Sequence, residues 1–97
     1  MPLFAVHYTY AEAAAAGRDE HRPEHRAWLS GLVDQGVVVT SGPYPDGSGA
    51  LIIVRAEDAD AVTKTLTQDP FAREGLIESV RFVEWQPVMG ALVEPLP

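Results

Sequence analysis

Val37-Val38-Val39-Thr40-Ser41 and Ala50-Leu51-Ile52-Ile53-Val54-Arg55 are two runs dense in β-branched residues, and between them stands Gly42-Pro43-Tyr44-Pro45-Asp46-Gly47-Ser48-Gly49. β-branched side chains suit the pleated strand, while Gly, Pro, Asp and Ser punctuate it, so residues 37–55 read as an antiparallel hairpin with a wide loop. The loop glycines lack the spacing of a phosphate-binding turn and join two strands instead of opening a helix.

What flanks the hairpin decides the fold. Upstream, Trp28, Leu29, Leu32 and Val33 recur at helical spacing, Pro23 suits a first helical position, and Gly36 stands where a left-handed terminal residue is wanted. The first helix is therefore expected over Pro23 to Gln35. The alanine-rich, then charged stretch from Ala11 to Arg22 is expected to be a mobile lead-in with room for one helical turn. Ahead of it, Leu3 to Tyr10 alternates Phe4, Val6, Tyr8 and Tyr10 with Leu3, Ala5, His7 and Thr9, a strand with two mostly apolar faces. Downstream, Asp58 can cap a helix whose apolar positions are Ala59, Val62 and Leu66, expected over about Ala59 to Gln68. Asp69 and Pro70 then read as the cap and first residue of a short extra turn, and a last strand follows over about Glu78 to Gln86.

Strand, helix, strand, strand, helix, strand is the order of the ferredoxin-like split βαβ unit, an α+β fold with a four-stranded antiparallel sheet. Two amphipathic helices cover one face of such a sheet, yet the strands carry apolar residues on both, so a second copy of the chain is expected on the other face. The 97 residues make one domain, with a core over about residues 3–86 and an apolar tail over 87–97 that holds three prolines with Val88, Met89, Leu92, Val93 and Leu96. That tail is too apolar for a simple solvated end and is expected to dock. Seven Lys and Arg against fourteen Asp and Glu give a net charge of −7, which argues against nucleic acid or an anionic membrane surface as partner. There is no cysteine, hence no thiolate nucleophile, disulfide or Cys-ligated metal. No basic leader or long apolar run opens the chain, and a cytoplasmic location is expected.

His25 lies three residues before Trp28 and four before Leu29, on the helix stripe that faces the sheet. It reads either as a half-buried, hydrogen-bonded histidine or as a general acid or base, because an imidazole titrates near neutral pH. Asp69 is a carboxylate at a chain reversal. As a cap it would be rigidly held, and against one imidazole nitrogen it would fix the tautomer and stabilise the imidazolium. His21 and His25 have metal-ligand spacing, but a helix starting at Pro23 leaves His21 outside it, and no metal is expected. His7, within the first strand, is expected to line the space between two packed sheets, as a satisfied interior histidine or as a ligand contact.

Arg22-Pro23-Glu24-His25 at the first helix, Gly36 at its end, Thr40-Ser41-Gly42-Pro43 after the second strand and Asp69-Pro70-Phe71 after the second helix together resemble the YCII-related (YciI-like) domain family, a branch of the dimeric α/β-barrel superfamily. The resemblance implies a ferredoxin-like chain paired into a homodimer, with His25 as base and Asp69 as its orienting partner near the helix start. It also implies Arg22 as a holder of an anionic group, and Ser41, Gly42 and Pro43 as the pocket wall. Members of the family and superfamily include an enzyme that removes chloride from a chlorinated hydroxyhydroquinone, muconolactone isomerase and cofactor-free monooxygenases. The expectation that results is a cofactor-independent small-molecule enzyme of lyase or isomerase type. Its rivals are a non-catalytic binding or accessory dimer and a monooxygenase-like enzyme.

Overall fold

The computed structural model of the chain describes residues 1–93. Four strands, β1 (Leu3–Thr9), β2 (Val38–Pro43), β3 (Gly49–Arg55) and β4 (Ser79–Trp85), form one sheet in the order β2-β3-β1-β4. All neighbouring strands are antiparallel. Between β1 and β2 runs α1 (Ala15–Asp34), preceded by a 3-10 turn at Glu12–Ala14; between β3 and β4 run α2 (Ala59–Leu66) and the short α3 (Pro70–Arg73). This is the α+β, ferredoxin-like arrangement, with the two main helices on one face of the sheet.

Register sorts the side chains. Val6 stands opposite Ile52 on one side and Phe82 on the other, and Phe4 opposite Val54. This inward row joins Tyr8 and Val38 with Val62 and Leu66 of α2 to form the core, against which Trp28, Leu29 and Leu32 of α1 pack half-buried. Helix α1 ends as the glycine predicts: Gly36 has φ 77°, its N–H donates to Val33 O, and Val37 N–H reaches back to Leu32 O. This paired closure satisfies the last carbonyls and turns the chain into β2.

The start of α1 differs from the sequence expectation. The helix begins at Ala15, not Pro23, and Pro23 lies inside it. An interior proline forfeits one backbone bond and costs about 3 kcal/mol, so the two turns before it need other support. Arg18 supplies it. Its side chain is buried, its Nη1 donates to Ala11 O at 2.9 Å and Leu76 O at 3.4 Å, and its guanidinium lies 4.4 Å from the centre of the Tyr10 ring. Gly17 lets the helix approach Leu76 closely, since a Cβ there would come within 2.6 Å of Leu76 Cδ2. Residues 15–22 are thus a docked helix instead of a mobile lead-in.

On the opposite sheet face, Leu3 and Ile53 are buried, Ala5, His7 and Leu51 are half-buried, and Val83 and Trp85 are exposed by 54% and 37%. In the tail, Val88 and Met89 are exposed and Leu92 is half-buried. Leu96, part of the expected docking segment, lies outside the described residues.

Candidate active site

Asp69 sits between α2 and α3 with extended backbone, φ −60° and ψ 126°, and Pro70 follows as the first helical residue. Its side chain caps α3 by accepting from Phe71 N–H through Oδ1 at 2.9 Å. The same oxygen lies 2.7 Å from His25 Nδ1, and Oδ2 accepts from the Tyr8 hydroxyl at 2.8 Å. Asp69 is completely buried. A carboxylate can only accept, so this geometry requires the proton on Nδ1 of His25 and leaves Nε2 of the neutral ring with a free lone pair.

The imidazole is held in plane as well as in tautomer. Phe71 stacks on it with centroids 3.9 Å apart and planes within 2°, and Trp28 lies tilted at 6.1 Å. Tyr10 meets the edge of Phe71 at 6.1 Å. Among the described residues, no protein group bonds Nε2, and His25 lines a cleft of about 350 Å³ between α1, β2 and α3. Burial pushes the Tyr8 phenol far above its ordinary range, reinforced by the charge of Asp69. Burial and Asp69 likewise push Tyr10 up to about 12, with Arg18 and Arg22 opposing. Tyr8 therefore stays a hydrogen-bond donor to Asp69.

Ser41, Gly42 and Pro43 line the cleft with His25, and so does Arg22, whose guanidinium pairs with Asp19 one turn back. His7 is elsewhere. Strand alternation turns it to the far face of the sheet, where Nδ1 lies 2.9 Å from the Tyr44 hydroxyl. His21 does share α1 with His25, because the helix starts early, and its Nδ1 lies 3.6 Å from Glu24. No group of three or more His, Asp and Glu that could hold a metal ion occurs among the described residues.

The sequence did not single out Tyr8, Tyr10, Arg26 or Ser30 as site residues, and it gave Phe71 only as part of a motif. Arg26 carried a signal in its four-residue spacing from Arg22; Tyr8 had only its inward register. A second cleft of about 570 Å³ adjoins the first, shares Tyr10, Arg22 and Pro43 with it, and extends to Glu12, Asp46 and Ser48.

The YCII-related domain model matches residues 2–86. Among solved structures, the chain is similar to 5-chloro-2-hydroxyhydroquinone dehydrochlorinase (TftG) from Burkholderia phenoliruptrix AC1100, determined in complex with 2,5-dihydroxybenzoquinone. The likeness has a TM-score of 0.77 at 24% identity and covers 87% of this chain and 93% of that one, which shows a common fold. No curated protein matches the chain.

Proposed function

The chain belongs to the YCII-related domain family, and from that premise we propose that it is a cofactor-independent small-molecule enzyme of lyase or isomerase type. The observation that carries this reading is the 2.7 Å contact of His25 Nδ1 with the fully buried Asp69, with Nε2 left free at a cleft. An imidazole so fixed is a base that needs no reorganisation before it acts.

In the proposed step, Nε2 takes a proton from a carbon activated by a neighbouring carbonyl or phenolic group. The C–H electron pair moves into the adjacent bond, and Asp69 stabilises the imidazolium. In an elimination the pair expels a leaving group from the next carbon, and the proton is later released to solvent. In an isomerisation the imidazolium returns the proton to a different carbon. The structurally similar TftG is a dehydrochlorinase of 5-chloro-2-hydroxyhydroquinone, which supports hydroxylated rings as substrates to try.

The test is turnover of a panel of lactones, catechols and halogenated phenols by the full chain. Asp69→Asn should reduce the rate by on the order of 10²–10⁴, and His25→Ala at least as far. If both variants retain the rate of the parent, the reading fails and a binding module takes its place.

We also propose that a second copy covers the open sheet face. Support comes from Val83 and Trp85, which lie exposed beside half-buried Ala5 on adjacent strands. An exposed apolar sheet surface of this kind marks an interface. Sedimentation should give the mass of a dimer at micromolar concentration; the mass of a single chain would overturn the proposal.

A further inference from the structure

The chain has only seven Lys and Arg, and Arg18, Arg22 and Arg26 recur at four-residue spacing along α1, on one side of the helix. Their circumstances differ. Arg18 is buried, with its Nη1 held by two carbonyls, and Arg22 is paired with Asp19. Arg26 is exposed, and among the described residues no hydrogen bond or ion pair engages it. It lines the same cleft as His25.

A negative charge is buried behind His25, beneath that cleft. Asp69 is bonded by the neutral Tyr8 hydroxyl and the Phe71 N–H, and otherwise only by His25, so no arginine or lysine offsets it. An anion brought up to His25 would meet the Nε2 lone pair with that carboxylate behind the imidazole, within a chain of net charge −7. The unengaged guanidinium at the mouth supplies the missing counter-charge, and its planar fork matches an oxyanion of a carboxylate or an acidic enol. Leu29, Val33 and Phe71 give the same cleft an apolar wall for a ring.

We infer that the cleft takes a small planar organic acid, with its ring against Leu29, Val33 and Phe71 and its oxyanion on Arg26, which turns the reacting carbon toward His25. The inference rests on the catalytic reading of this cleft and names its substrate class and a binding residue. Arg22, spent on Asp19, is the lesser contributor.

Benzoate and benzamide have the same shape and differ in charge, so they serve as probes. Their affinities for the full chain can be read from the His25 ring signals in proton–carbon NMR at fixed ionic strength. Benzoate should bind about tenfold tighter than benzamide, as one charge-assisted pair allows. Arg26→Gln should abolish that preference with benzamide binding unchanged, Arg26→Lys should keep part of it, and Arg22→Gln should keep most of it. Equal affinity for the two probes in the parent would overturn the inference. So would a preference that survives Arg26→Gln, or the failure of benzoate to move the His25 signals. The readout is independent of turnover. Loss of the preference beside Asp69-dependent catalysis would remove the acid and leave the enzyme; an intact preference without such catalysis would do the reverse.

Discussion

Asp69 accepts hydrogen bonds from three places in the chain, namely Tyr8 on β1, His25 on α1 and the backbone of α3. Removing the acceptor strands all of these donors in a dry interior. Asp69→Ala should therefore cost about 3 kcal/mol or more of stability, read as a lowered urea midpoint, whereas Asp69→Asn keeps a capping oxygen and should cost less. Tyr8→Phe removes one donor and leaves Oδ2 unsatisfied, with an expected loss of about 1–3 kcal/mol. The two tyrosines also set a pH dependence. Tyr10 is raised to about 12 and Tyr8 is raised too, so the native chain keeps protons that the unfolded chain loses near pH 10. The unfolded state then binds fewer protons, and stability should be fully present below about pH 10 and fall as pH rises toward about 12. Urea midpoints at about pH 9 and about pH 11 measure it, and Tyr8→Phe should flatten the decline. The His25 and Asp69 positions were legible in the sequence, because an imidazole on a core-facing stripe and a carboxylate before proline are local patterns. Tyr8 was not, since its role arises from contact with a residue 61 positions away.

At the scale of elements, α1 carries the site on its third turn and owes its first two turns to packing. Arg18→Gln should free those turns while the rest of the helix stays closed. Amide exchange over residues 15–22 should accelerate markedly, and exchange over residues 27–34 should change little. A uniform change along the helix would contradict the pinning role assigned to Arg18. Strands, hairpin, α2 and α3 followed from periodicity and caps; the early start of α1 did not. Pro23 is a strong local stop signal, and what overrides it is the Arg18 guanidinium over Tyr10, with Gly17 against Leu76. Both partners lie in connecting segments outside α1, one of them 58 residues downstream of Arg18. His7 illustrates the converse, because strand alternation alone places it opposite Val6 and Tyr8, away from Asp69.

For the whole molecule, the sheet has one face closed by helices and one face with exposed apolar residues. Val83→Lys with Trp85→Lys should convert the proposed dimer to single chains in sedimentation, with the circular dichroism of the fold retained. The strand order was readable from the order of the elements, and the inward core from the alternation of β1; β3, a continuous apolar run, is buried on both faces. Charge distribution was less readable: a net −7 gives no hint that three of seven cations share one side of one helix beside the cleft.

The Asp69 carboxylate is at once the cap of α3 and the support of His25, so the buried base of the site cannot be altered without loosening the fold. The rim is built otherwise, from exposed residues such as Arg26, Ser30, Ser41 and Pro43, most of which bear little of the core. Substitution there is expected to be nearly free of stability cost. A library confined to those four positions should retain folded members in high proportion and vary in which acid it accepts. Evolution of new specificities, natural or directed, has its open ground on the rim.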